Sequence, residues 1–296
     1  MYEEVRKVAT QSVQPVSGMQ AFKTGLLMAI PRDRHTFGAL LKTVLFYGGG
    51  WAVLMGLWMV YGPRGEDGSV HLSFDVAGAK ISVTVLLACV VAAFPFIGFY
   101  SVRRVLEGRA NTPYFETLGA PIFLRALLLG GLILPMFMVS ELIKAYGSWW
   151  SGYVGTAIYF VFAVYLQLVI VHLVASRELS WKPAWRVLRK SFFTAVMSSN
   201  CAMIVLAVAA LLVYIVLLAM VVGGTTMLSF KLGTDPAILL QEWTNVWQGD
   251  PLYRGLLPYD FVFCGSMGLL IALFAWACVG SYAALTTLYC AHKSCA

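Results

Sequence analysis

Six stretches of this chain are long and apolar enough to leave it little choice of solvent. They run from Gly38 to Tyr61, Ala79 to Tyr100, about Leu118 to Ile143, Gly152 to Ser176, Thr194 to Gly223 and Phe261 to Tyr289. A helix needs roughly 20 such residues to cross the hydrocarbon of a bilayer. In that medium each backbone N–H and C=O must be satisfied within its own segment, which selects the helix. The expected fold is an all-α polytopic membrane protein with six transmembrane helices in a single domain over 1–296. Composition agrees, because 60% of the residues are hydrophobic and only 12% are charged. A soluble domain carries about twice that charge, so too few charged groups remain here to coat a water-facing surface.

The placement of charge sets an orientation. Fourteen of the Lys and Arg residues fall in the segment before the first span, the loops after the second and fourth spans, and the tail. The alternate loops hold four: Arg64, Lys144, Lys231 and Arg254. The positive-inside rule then places both termini in the cytoplasm; the expected location is a bacterial inner membrane. The net charge of +7 does not point to nucleic acid, since the basic residues lie in short inter-span segments without a broad face of stacking aromatics. Residues 1–18 lack the apolar core of a signal peptide, so the first span is expected to be a retained anchor.

The loop RELSWKPAWRVLRK, residues 177–190, concentrates five basic residues. Pro183 suits a first helical turn. Trp185, Leu188, Phe192 and Val196 then recur at spacings of three and four, with Arg186, Arg189 and Lys190 elsewhere on the wheel. That pattern predicts a basic amphipathic helix lying in the membrane interface, with Trp185, Arg186, Arg189 and Lys190 contacting anionic lipid headgroups or a partner. Shorter versions precede the first span (SGMQAFKTGLLMAIPRDRHTF) and the third (TPYFETLGAPIF). The order of interfacial helix, span, outer turn and span thus recurs three times, which suggests three repeated helical hairpins. The outer loop, about 224–260, offers Trp243 and Trp247 on a short helix begun by Asp235 and Pro236, as a second lipid or partner surface.

Candidate chemistry is sparse. Ionisable residues within a span are functional candidates, yet no acid lies at mid-membrane. Lys42 and Arg125 sit near span ends, where they can snorkel, and Glu141 and Lys144 are spaced to pair on one helix face. His172, His35 and His292 fall near the cytoplasmic face, and a pair of them is the candidate set for holding a haem, since neutral imidazole is a good ligand. No metal site is expected: Cys290, His292 and Cys295 fall short of the four ligands of a structural zinc site. The six cysteines read as reduced. Gly48, Gly49, Gly50 and Gly56 allow close helix approach, and Pro95 and Pro135 are expected to kink their spans. No phosphate loop, metallohydrolase helix, serine-hydrolase elbow or dinucleotide fingerprint is present, so no catalytic residue is assigned.

The stretches FPFIGFYSVRRVLEGRANTP, VIVHLVASRELSWKPAWRVLRKSFFTAVMSSN and GSYAALTTLYCAHK resemble uncharacterised six-helix integral membrane proteins of bacteria. That group includes the membrane domain accompanying some glycerophosphodiester phosphodiesterases. The resemblance implies a structural or regulatory role in the membrane, and no active site carries over with it. Three functions remain open at this point. The first is a non-enzymatic accessory, assembly or scaffold subunit that binds other membrane proteins. The second is a transporter or channel for a lipid-like or small neutral solute, with the cavity near Pro95 and Pro135. The third is a haem-binding redox subunit using His172.

Overall fold

The computed structural model describes residues 17–54, 74–76, 79–81, 95–108, 120–132, 135, 139, 143, 149–232 and 257–294. Over these the chain is almost wholly helical. Helix α1 is Gly18–Ala29, α2 is Arg34–Thr43, α3 is Pro95–Glu107, α4 is Ala120–Gly131, α5 is Trp149–Ser176, α6 is Trp181–Lys190, α7 is Phe192–Leu232 and α8 is Leu257–Ser294. Among the described residues, four stretches are long and apolar enough to cross a membrane: Arg34–Leu54, Trp150–Ser176, Phe192–Met220 and Gly265–His292. They correspond to the first, fourth, fifth and sixth expected spans. The middle of the second and parts of the third lie outside the described residues, as do Glu141 and Lys144.

Two boundaries differ from the sequence expectation. The second span was placed from Ala79, but Ala79–Ile81 is a strand, paired antiparallel with Phe74–Val76 so that Asp75 stands opposite Lys80. A short apolar run with Ile and Val fits a strand as readily as a helix, and periodicity does not separate them. The other difference is length. Helix α7 continues to Leu232, giving 41 residues and about 60 Å of axis, roughly twice the thickness of the hydrocarbon. The outer segment expected from 224 therefore begins as helix.

The chain gathers into two compact units. One comprises Met1–Thr43, Val91–Val208 and Phe274–Ala296; the other comprises Val44–Val90 and Ala209–Leu273. In the first unit the core is built from α8, the second half of α5, and the shorter helices. Val164, Leu166 and the run Leu168–Leu173 on α5 are buried, as is nearly every residue of α8 from Ala275 to Tyr289. Close helix approach explains part of this. A Cβ on Gly25 would lie 2.6 Å from the Gly280 carbonyl oxygen, and one on Gly98 would lie 2.6 Å from the Tyr282 ring.

In the second unit, a π-helical turn at Val44–Gly48 brings Gly48 against Gly268. A Cβ on Gly268 would stand 2.6 Å from the Gly48 carbonyl oxygen. Of the glycines expected to permit close approach, Gly48 does so, whereas Gly49 and Gly50 face open space. Tyr47 and Trp51 are buried beside this contact.

Burial across the spans is uneven. The most apolar of them, within Phe192–Met220, has only 11% of its window buried, whereas the window in Gly265–His292 is 83% buried. Ile204, Val208, Leu212 and Val216 of α7 stand at least half exposed. In water such a surface would be costly. Facing lipid tails it carries no such cost, because they are as apolar as leucine.

Candidate functional site

Helix α6 is built by its termini. Arg177 closes α5 in the left-handed region, at φ 60°, with its N–H donating to the Leu173 carbonyl at 2.9 Å. The chain thereby reverses, and Ser180 in extended backbone precedes the helix. Pro183 sits in its first turn, where its missing N–H leaves no intrahelical bond unmade. At the far end Ser191 breaks the regular geometry, and its hydroxyl donates to the Val187 carbonyl at 2.9 Å. Helix α7 starts at the next residue.

The buried stripe of α6 is Ala184, Val187 and Leu188. The apolar wheel positions read from the sequence divide between this stripe and the outside. Leu188 is buried, whereas Trp185 is 54% exposed and Phe192 38%. The division has a physical reason: the stripe that packs on α5 is made of small and aliphatic side chains, and the indoles are left on the outside, where Trp favours the membrane boundary. Trp181, Lys182, Trp185, Arg186, Arg189 and Lys190 are all exposed. Tyr165 of α5 braces the two indoles, with ring centroids 5.7 Å from Trp181 and 5.9 Å from Trp185.

His172 is buried within α5. Its Nδ1 lies 2.6 Å from the Tyr289 hydroxyl and its Nε2 lies 3.3 Å from the Ser176 hydroxyl. Both ring nitrogens therefore face protein hydroxyls, and the imidazole links α5 to α8. His35 is exposed on α2, and the Nδ1 of half-buried His292 takes a proton-bearing role toward the Leu288 carbonyl at 2.9 Å in its own helix. The three histidines do not form a ligand cluster: among the described residues no group of three or more His, Cys, Asp or Glu is placed to hold a metal ion.

Sequence reasoning missed two polar clusters in the same unit. In the first, Arg104 is buried, with 4% of its side chain exposed, and donates to Asp33 Oδ2 at 3.2 Å and to the Tyr100 hydroxyl at 2.8 Å. Asp33 uses its other oxygen to cap α2, accepting from the Thr36 N–H at 2.7 Å and the Thr36 hydroxyl at 2.9 Å. Arg104 had been counted as a loop charge after the second span. It lies instead in the last turn of α3, where its guanidinium joins α3 to the start of α2.

In the second cluster, the Ser281 hydroxyl donates to Gln167 Oε1 at 2.7 Å and accepts from the Ser199 hydroxyl, whose oxygen lies 3.3 Å from Gln167 Oε1. Three helices meet there, α5, α7 and α8. Nearby, Ser101 donates to the Val279 carbonyl at 2.7 Å, and the Trp276 indole N–H donates to the Ala29 carbonyl at 2.8 Å.

Lys42 and Arg125 are exposed, as snorkelling residues would be. Cys201 and Cys278 are free thiols. Trp243, Trp247 and Cys295 lie outside the described residues, and so does the chain around Pro135. Helix α3 is described from Pro95 onward, so the bend expected there falls at its edge. Comparison with protein families, with curated proteins and with solved structures finds no match to this chain.

Proposed function

We propose that this chain is a non-enzymatic, multi-pass membrane component: an accessory, assembly or scaffold subunit that binds other membrane proteins. In this reading it has six spans and both termini in the cytoplasm of a bacterial cell, and it lies in the inner membrane. The observation that supports it best is how the interior uses its polar groups. Gln167, Ser199 and Ser281 bond one another; His172 faces Tyr289 and Ser176; Arg104 pairs with Asp33. Interhelical hydrogen bonds of this kind fasten helices together in a membrane. The working surfaces are then outward ones, the apolar side of α7 and the basic, aromatic side of α6.

The reading is tested by purifying the chain from its own membrane in mild detergent and identifying what travels with it by mass spectrometry. One or more membrane proteins in stoichiometric amount are expected. A chain that runs alone overturns the subunit reading and directs attention to solute transport in liposomes.

The orientation has its own test, in a variant whose native cysteines are replaced. A single thiol introduced by Gly249→Cys is expected to react with a membrane-impermeant label on intact cells. One introduced by Ser180→Cys is expected to react only after the cells are opened. Labelling of Ser180→Cys from outside would reverse the topology.

A further inference from the structure

Helix α6 is short, and its neighbours in the chain locate it. Only residues 177–180 separate it from α5, and only Ser191 separates it from α7. Both of those helices contain stretches able to cross a membrane. A ten-residue helix tied this closely to two membrane-crossing helices has to lie against the bilayer surface.

Its faces can be ordered around the axis at roughly 100° per residue. Ala184, Val187 and Leu188 occupy one side, against the core. Opposite them, in angular order, come Trp181, Trp185, Arg189, Lys182, Arg186 and Lys190, all exposed. The indoles thus occupy one flank and the cations the next, instead of being mixed. None of the four cations makes an ion pair among the described residues. The nearest acid in the chain, Glu178, lies before the helix begins. Phe193, at the start of α7, adds an aromatic ring that is 79% exposed.

This arrangement fits one ligand chemistry. A phospholipid presents an anionic phosphate just above an apolar glycerol and acyl region. Basic side chains near a membrane surface gain from the negative headgroups, and indoles settle at the level just below them. We propose that the outward face of α6 binds anionic phospholipid headgroups. Lys182, Arg186, Arg189 and Lys190 take the phosphate, and Trp181 and Trp185, held by Tyr165, lie along the glycerol and upper acyl chains. The proposal rests on the chain crossing the membrane and is independent of whether it serves a partner protein.

The test uses the full-length protein in mild detergent, titrated with dioleoyl phosphatidylglycerol or dioleoyl phosphatidylcholine and followed by native mass spectrometry. Each basic residue near the surface contributes about fivefold in affinity. The first phosphatidylglycerol is therefore expected to bind at least about tenfold more tightly than phosphatidylcholine. Replacing all four cations with Gln is expected to bring the two lipids within about twofold of each other. R186K/R189K keeps the charge and is expected to keep the preference. W181A/W185A is expected to weaken both lipids together and leave their ratio unchanged, which separates the two flanks of the face.

Equal binding of the two lipids by the unaltered protein overturns the proposal. So does an undiminished preference in the Gln variant. If that variant does not fold, the Lys and Ala variants decide: a lost preference in R186K/R189K, or a changed ratio in W181A/W185A, counts against it. Displacement of the lipid by millimolar glycerol phosphate would assign the cations to a soluble anion and overturn it as well.

Discussion

Gly25→Ala is expected to destabilise the protein by about 3 kcal/mol, the upper part of the range for overpacking a tight interior. In an unhindered helix the same change stabilises by up to about 1 kcal/mol, because alanine forms helix better than glycine. Here the new methyl would lie 2.6 Å from the Gly280 carbonyl oxygen and 3.1 Å from the Ala202 methyl. The first of these is backbone, which cannot swing aside, so α1 and α8 would have to separate. Gly280 leaves no room on the other side, being pressed by Leu206. Gly38→Ala is the matched control, with nothing within 4 Å of its added methyl. Thermal unfolding in detergent is expected to show a lowered midpoint for Gly25→Ala and an equal or raised one for Gly38→Ala. Equal midpoints for both would mean that the α1–α8 contact is looser than described.

Asp33→Asn is expected to cost about 2 kcal/mol, below the scale for a fully buried ion pair because Asp33 is 31% exposed. The substitution separates two roles of one side chain. Asparagine can still accept from the Thr36 N–H, so the cap of α2 survives. What is lost is the negative charge facing Arg104, whose side chain is only 4% exposed. The cost lies in removing a charge that faces a buried cation, since the net worth of a buried pair is small. Adding Arg104→Met to Asp33→Asn is therefore expected to restore part of the stability, about 1–2 kcal/mol. Strictly additive losses in the double variant would show that the two side chains do not interact across the 3.2 Å between them.

These residues mark the limits of what could be read from the chain in advance. Four of the six expected spans coincide with helices long and apolar enough to cross a membrane, because a run of some 20 apolar residues is a strong signal. Helix α6 was legible from Pro183 and from charges spaced around a wheel. What the wheel alone does not show is which of its apolar positions turn inward: Leu188 packs with Ala184 and Val187, while Trp185 stays outside, where an indole at a membrane boundary gains. Arg104 was hidden by bookkeeping of another kind. It was counted toward topology, and its partner Asp33 lies 71 positions earlier, beyond any local pattern. Gln167, Ser199 and Ser281 carry no charge and so leave no trace in a pattern of ionisable residues. Small neutral polar residues inside apolar runs are the other signal, and they mark helix crossings.

The hydrogen bonds between α8 and the earlier helices also have a consequence for how the protein is made. Ser281 comes 114 residues after Gln167, and Tyr289 comes 117 after His172. Synthesis adds roughly 5–20 residues per second, so those groups wait on the order of 10 s for their partners. Through that interval a glutamine, a serine and a histidine inside newly inserted apolar helices have only lipid, water or an insertion factor to bond. The first unit therefore closes late, when α8 arrives, and a ribosome stalled before Ser281 would leave a nascent chain whose polar side chains mark it as unfinished.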